Sequence, residues 1–130
     1  MAMRTMFSDH STTPPVVLVV EDQALLRLVA VDMIEEAGFT ALEAADAMSA
    51  LNMLRMRQDI AFVFSDVDMP GAMNGIDLIR YIRALNSSIK IIVTSGTFHA
   101  DKLELPSEGI FLPKPYLLDD VSAALQRFTH

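Results

Sequence analysis

Acids, one hydroxyl and one amine stand where short apolar runs give way to turns. Val16-Val17-Leu18-Val19-Val20 hands over to Glu21-Asp22, and Phe62-Val63-Phe64-Ser65 hands over to Asp66-Val67-Asp68-Met69-Pro70. Ile89-Lys90-Ile91-Ile92-Val93 leads into Thr94-Ser95-Gly96, and Ile110-Phe111-Leu112 into Lys114-Pro115. Carboxylates crowded at one rim repel and raise one another's pKa values unless a cation joins them. A hard divalent ion answers that need, and Mg²⁺ takes one or two carboxylates plus phosphate oxygens, which suits acids without a histidine. A carboxylate beside such an ion, faced by an amine and a hydroxyl, is equipped to accept a phosphoryl group covalently. Asp66 would attack in line, the ion and Lys114 would neutralise the equatorial oxygens, and Thr94 would donate a hydrogen bond to the product.

Each piece alone also has a plainer reading. Asp22 reads as the cap of a following helix, and Asp66 and Asp68 read as turn-formers before Pro70. Thr94-Ser95-Gly96 is a common strand exit and Lys114-Pro115 an ordinary surface turn. His10, His99 and His130 share no spacing and read as exposed bystanders. The weight lies in the conjunction, because each chemical type falls at the carboxyl end of a different predicted strand.

Those strands are apolar runs of four to eight residues bounded by turn signals, the pattern of strands buried on both faces. Phe39 to Ala44 supplies another strand. Between them the spacing predicts helices over Gln23 to Ala37, Asp46 to Arg57, Ile76 to Leu85 and Leu118 to Phe128. In the first helix, Leu26, Val29, Ala30, Met33, Ile34 and Ala37 share one face at 100° per residue, and Gly38 ends it. Leu25, Leu28 and Val31 lie off that face and read either as a packing flank or as a docking surface. The second helix turns Ala47, Ala50, Leu51 and Leu54 inward, with Met48, Met53 and Met56 as soft packing volume. The third carries Ile76, Ile79, Ile82 and Ala84. Over 97–109, Pro106 leaves room only for a short or irregular fourth helix.

Strands alternating with helices imply an α/β fold with right-handed crossovers. The expected architecture is a (βα)5 flavodoxin-like three-layer sandwich on a parallel five-stranded sheet of order 2-1-3-4-5. That order makes strands one and three neighbours, so Glu21, Asp22 and Asp66 meet at the switch point. Spacing alone does not bring them together.

At 130 residues, 52% of them apolar, the chain fits one domain, read here as 15–130 behind a flexible tail over 1–14. No stretch approaches the ~20 apolar residues of a membrane span and the opening residues lack a signal-peptide core, so the cytoplasm is the expected compartment and no membrane partner is expected. There is no cysteine, which excludes disulfides and thiolate metal sites. Ten Lys and Arg against seventeen acids, a formal charge of −7, make no cationic footprint for nucleic acid.

As a set, these motifs resemble the receiver domain of two-component response regulators, a likeness running from about Val16 to Phe128. Glu21-Asp22 is similar to that family's metal-binding acidic pair, Asp66 to its phosphorylated aspartate, and Asp68 to the position whose backbone carbonyl completes the metal site. Thr94 matches the switch hydroxyl, Phe111 the switch aromatic, and Lys114-Pro115-Tyr116 the Lys-Pro-aromatic turn whose peptide bond is often cis, making Pro115 a cis-proline candidate. Gly75 also matches. The resemblance implies Mg²⁺-dependent phosphoryl transfer to Asp66 from a histidine kinase or histidine phosphotransfer protein, in a phosphorelay and without enzymatic turnover of an outside substrate. Thr94 would then move toward the phosphoryl group and Phe111 turn inward, reshaping a surface read by a downstream protein target. It further implies a kinase docking near the first helix, where Leu25, Leu28 and Val31 lie.

Three features depart from the family pattern: the Pro-interrupted 97–109 segment, Phe in place of Tyr at the switch aromatic, and the pair Asp68 and Gly96, at positions resembling those that tune phosphoaspartate hydrolysis. With nothing after the last helix, the expectation is a stand-alone receiver, monomer or weak homodimer. Two rival classes stand beside it. A haloacid dehalogenase type of phosphatase shares a strand followed by Asp-x-Asp, yet that motif belongs on the first strand and 130 residues leave little room for a substrate cap. A phosphorylation-independent interaction module on the same fold would not need the complete set of acids, hydroxyl and lysine. A nucleotide site lacks its Gly-rich loop with lysine.

Overall fold

The computed structural model describes residues 14–69, 74–86, 88–96 and 109–127. In chain order these form β1 (Val16–Val20), α1 (Ala24–Glu36), β2 (Thr40–Ala44), α2 (Ala47–Met56), β3 (Ile60–Asp66), α3 (Gly75–Leu85), β4 (Lys90–Ser95), β5 (Ile110–Pro113) and α4 (Leu118–Arg127). All strand pairs are parallel and the order is β2-β1-β3-β4-β5, as the alternation predicts. The expected tail over 1–14, apart from its last residue, and the expected fourth helix over 97–109, up to residue 108, lie outside the described residues. His10, His99, His130 and Phe128 do as well.

Successive strand side chains point to opposite faces, so one continuous apolar run feeds two cores. Leu18, Val20, Val63, Ile91 and Val93 pack with Leu51, Leu78 and Ile82 of α2 and α3 on one face. Val17, Val19, Phe62, Phe64 and Ile92 pack with Ile34 and Leu125 of α1 and α4 on the other. Burying a Leu, Ile or Phe contributes about 1.5–3 kcal/mol, so these layers hold the strand ends in place. Edge strand β2 is the most exposed of the five.

Three details of the helix faces differ from the periodicity reading. Val31 is buried, whereas Leu26 and Val29 are 37% and 40% exposed. The buried stripe of α1 is Ala30, Val31 and Ile34, and Arg27 extends it at the rim. Arg27 donates to the Glu21 carbonyl at 2.8 Å and to Glu43 Oε1 at 3.1 Å, tying the start of the helix to β2 and to the end of β1; a charged residue is easily left out of an apolar stripe. In α3 Ile79 and Ile82 are buried as expected and Leu78 joins them, while Ala84 is exposed. Of the three methionines in α2 only Met53 packs on the core; Met48 and Met56 face solvent.

Candidate functional site at the carboxyl edge

The strand register sets the rim. Asp66 on β3 lies opposite Thr94 on β4, and the Val67 amide donates to the Thr94 carbonyl at 3.0 Å. On the other side Val20 lies opposite Ser65, so the next residue, Glu21, comes out of the sheet beside Asp66. The Glu21 amide donates to the Ala44 carbonyl at 3.1 Å, and the Lys114 amide to the Ser95 carbonyl at 2.9 Å, so every strand end is tied to its neighbour.

Two local devices bring the loops close. A Cβ on Gly75 would collide with the Asp66 carbonyl oxygen and stand 2.5 Å from Val67 Cα, so only glycine lets α3 start against the Asp66 backbone. Asn74 and Asp77 then close a capping box at that start. On the far side the Lys114–Pro115 peptide is cis, and Tyr116 packs edge-on against Phe64 with ring centroids 5.5 Å apart.

Within this frame Lys114 Nζ lies 3.0 Å from Asp66 Oδ2 and 3.3 Å from Glu21 Oε1. Asp66 Oδ1 accepts the Asp68 amide at 2.9 Å, and Glu21 Oε2 accepts the Gln23 amide at 3.2 Å. Asp66, Glu21 and Thr94 are buried. Burial pushes the Glu21 carboxyl up and the negative charge of Asp66 adds to it, against the opposing pull of the Gln23 amide and of Lys114. Burial works the other way on the Lys114 ammonium, yet its hydrogen bond and charge contact with Asp66, joined by Glu21, outweigh this and hold its pKa above the ordinary value.

Glu21, Asp22 and Asp66 each present a carboxylate oxygen, all within 4.8 Å of one another. Asp22 does not cap α1. The cap position belongs to Gln23, which makes no side-chain cap bond, while Asp22 Oδ1 is buried without a hydrogen-bond partner. A buried orphan oxygen beside two more carboxylates, with no histidine or thiol in the set, fits a hard divalent cation of the Mg²⁺ kind.

The residues singled out by type thus meet at one edge: Glu21, Asp22, Asp66, Thr94 and Lys114. Asp68 divides its functions. Its amide faces Asp66, and its carboxylate turns away to β4, where Oδ2 accepts Ser95 Oγ at 2.8 Å and the Gly96 amide at 3.1 Å. Phe111 is half-buried and packs on the core shared with α2 and α3. Arg27 and Ser95 are the additions that residue-type reasoning did not single out. Arg27 carried no signal beyond its spacing, and Ser95 was masked by the neighbouring Thr94.

The family model of the response regulator receiver domain matches residues 17–126. The chemotaxis protein CheY-3 of Vibrio cholerae is 32% identical over 106 residues, 77% of this chain and 80% of that protein. The sensor kinase CckA of Brucella abortus is 34% identical over 114 residues, which are 85% of this chain but only 12% of the kinase. Among solved structures, a response regulator receiver protein from Pseudomonas putida superposes with a TM-score of 0.77 at 30% identity, covering 88% of this chain and 98% of that one. No helix among the described residues is long and apolar enough to cross a membrane. With sheet order, acidic rim and sequence relationship in agreement over nearly the whole length, the chain belongs to the response regulator receiver domain family of two-component systems.

Proposed function

We propose that this receiver takes a phosphoryl group onto Asp66 from a phosphohistidine of a histidine kinase or phosphotransfer protein, in a Mg²⁺-dependent reaction, and signals by a phosphorylation-dependent change in its affinity for a downstream protein. The observation that carries this reading is the buried Asp66 carboxylate, held between Lys114 at 3.0 Å and the acids Glu21 and Asp22. An Asp66 oxygen attacks phosphorus, the P–N bond of the donor breaks, and its electron pair leaves with the imidazole as an acyl phosphate forms. The Asp68 amide on Oδ1 orients the carboxylate, and the Lys114 ammonium offsets charge on the transferring oxygens. Glu21, Asp22, Asp66 and the Asp68 backbone carbonyl would hold Mg²⁺, which when bound supplies further neutralisation of that charge. Thr94 and Phe111 then report the phosphoryl group by shifting toward it and inward, respectively.

The donor must cover the rim next to Asp66. On that side α1 exposes Leu25 (72%) and Leu28 (54%), and Leu117 adds 69% beyond the Lys114–Pro115 turn. This apolar flank is the proposed kinase or phosphotransfer dock, without Val31, which is buried.

The test is intact mass after incubation with acetyl phosphate, with and without Mg²⁺, for wild type and Asp66→Asn. A single Mg²⁺-dependent adduct, lost in the variant, is the expected result. No adduct in wild type would overturn the reading and leave a phosphorylation-independent module, whereas steady phosphate release from varied substrates would indicate a phosphatase. Lys114→Ala should retain phosphorylation while uncoupling it from partner affinity, measured by binding of the phosphorylated and unphosphorylated forms.

A further inference from the structure

The Asp68 side chain points away from the site to which its own amide contributes. β3 and β4 run side by side to Asp66 and Thr94, and one residue further the Val67 amide still holds the Thr94 carbonyl. Beyond that point the backbone ladder ends, and a side chain takes over. Asp68 Oδ2 gathers both the Ser95 hydroxyl at 2.8 Å and the Gly96 amide at 3.1 Å, across 27 and 28 residues of sequence. Ser95 is buried at 1% exposure, whereas Asp68 is half-buried and Gly96 exposed, so the hydroxyl contact is the more sheltered of the two. Among the described residues, a Cβ on Gly96 would come no closer than 3.8 Å to another atom, Lys114 Cβ. On the β3 side the Asp68 carboxylate is a restraint that bridges both residues at the end of β4.

We infer that Asp68 is a positioning residue: its carboxylate is an internal latch that holds the Ser95–Gly96 end of β4, and with it the adjacent Thr94, in the unphosphorylated setting. The inference rests on the phosphoacceptor reading of Asp66. A phosphoryl group on Asp66 brings up to about two negative charges and three acceptor oxygens to the place beside which Asp68 stands. It competes with the Asp68 carboxylate for the donors at the end of β4, and Thr94 approaches the phosphoryl group as those donors change acceptor. The latch therefore sets how much of the phosphoryl-binding energy is spent on releasing β4. It acts through geometry, so an uncharged acceptor of the same shape should retain most of it.

The test measures the apparent Kd for beryllofluoride at saturating Mg²⁺, with the Ser95 and Gly96 amide resonances as the local readout. Wild type, Asp68→Ala, Asp68→Asn, Ser95→Ala and the Asp68→Ala/Ser95→Ala pair are compared. Releasing both hydrogen bonds should tighten beryllofluoride binding about tenfold in Asp68→Ala and by less, with the same sign, in Ser95→Ala. The double variant should match Asp68→Ala alone, because both substitutions break one device. The Asn variant, whose amide oxygen can still accept both donors, should stay near wild type. In Asp68→Ala without the mimic, the Ser95 and Gly96 resonances should already lie toward their beryllofluoride-bound positions. Equal effects of Ala and Asn would assign the change to charge and overturn the latch, as would additive effects or unchanged affinity in Asp68→Ala. If wild type itself takes no beryllofluoride, the phosphoacceptor reading falls and the latch with it.

Discussion

Two helix starts place an aspartate just before the first turn, and the fold uses them oppositely. At α2, Asp46 is the N-cap: its side chain accepts the Ser49 amide at 2.7 Å, and that bond draws its pKa below the ordinary carboxylate value. At α1, Asp22 stands one residue too early, Gln23 takes the cap position without a cap bond, and Asp22 Oδ1 is left buried and unpartnered. One aspartate is satisfied by its own helix; the other keeps an oxygen that, on the proposed function, is the metal's. An uncapped helix start and an orphaned oxygen are both unfavourable to stability, by about 1 kcal/mol for the missing cap and about 1–3 kcal/mol for the unpaired group. Such a cost concentrates where a ligand is to be bound. The proposed function thus assigns the acids of the rim to ligation, while the side chains at the starts of α2 and α3 serve folding.

That contrast can be broken by experiment, and the largest effect should come from Asp22. Asp22→Ala should weaken Mg²⁺ binding about 100-fold, at the upper end of what even a supporting residue of a metal site contributes, while leaving the melting temperature of the metal-free protein unchanged or raised. Isothermal titration and thermal melts in chelator read the two quantities separately. A fall in metal-free stability with full Mg²⁺ affinity would make Asp22 an ordinary structural residue.

A third helix start, that of α3, sharpens the comparison because it serves both ends. Its capping box makes the helix, and Gly75 presses it on the Asp66 backbone. Gly75→Ala should destabilise by about 1–3 kcal/mol through overpacking. It should also slow phosphorylation by acetyl phosphate more than that loss of fold explains, since the displaced group is the backbone that aims Asp66. Urea unfolding and adduct kinetics on the folded variant distinguish these effects.

Asp46→Ala is the smaller mirror of Asp22→Ala: a loss of about 1 kcal/mol in unfolding free energy, with Mg²⁺ affinity untouched. The least effect is its pH signature. Because the folded-state pKa of Asp46 is lowered beneath its ordinary 3.8, its contribution is complete above 3.8 and is lost as pH falls through the lowered value. The difference in urea midpoint between wild type and Asp46→Ala should therefore shrink on acidification and be constant at neutral pH.

How far the chain could be read in advance differs between elements for physical reasons. The strands were legible because fully buried strands are uninterrupted apolar runs, and the ends of β1, β3, β4 and β5 carry their turn chemistry within a residue or two. α2 was legible down to its cap, because Asp46 and Ser49 interact within a single turn. α1 was legible as a helix but not in its rotation. The periodicity of its apolar residues favoured Leu26 and Val29, whereas Val31 faces inward and Arg27, on the same side, is tied to the Glu21 carbonyl and to Glu43. Those partners are six and sixteen residues away, beyond any local pattern.

By itself, then, the sequence determined the types and order of the elements and the chemistry offered at each strand end, because hydrophobic period, turn residues and helix caps act over a few neighbouring positions. Tertiary structure alone decided what each acid does with its oxygens. Only the register of β3 on β1 and β4 sets Glu21, Asp22, Asp66 and Thr94 on one rim. Only the close approach allowed by Gly75 fixes the Asp66 backbone, and only the meeting of two loops 27 residues apart gives the Asp68 carboxylate to Ser95 rather than to the cluster of Glu21, Asp22 and Asp66. Hydrogen-bond choice between competing partners is a matter of ångströms in three dimensions, and side chains of identical type at Asp22, Asp46 and Asp68 reach three different ends because the strands and helices around them arrive from different parts of the chain.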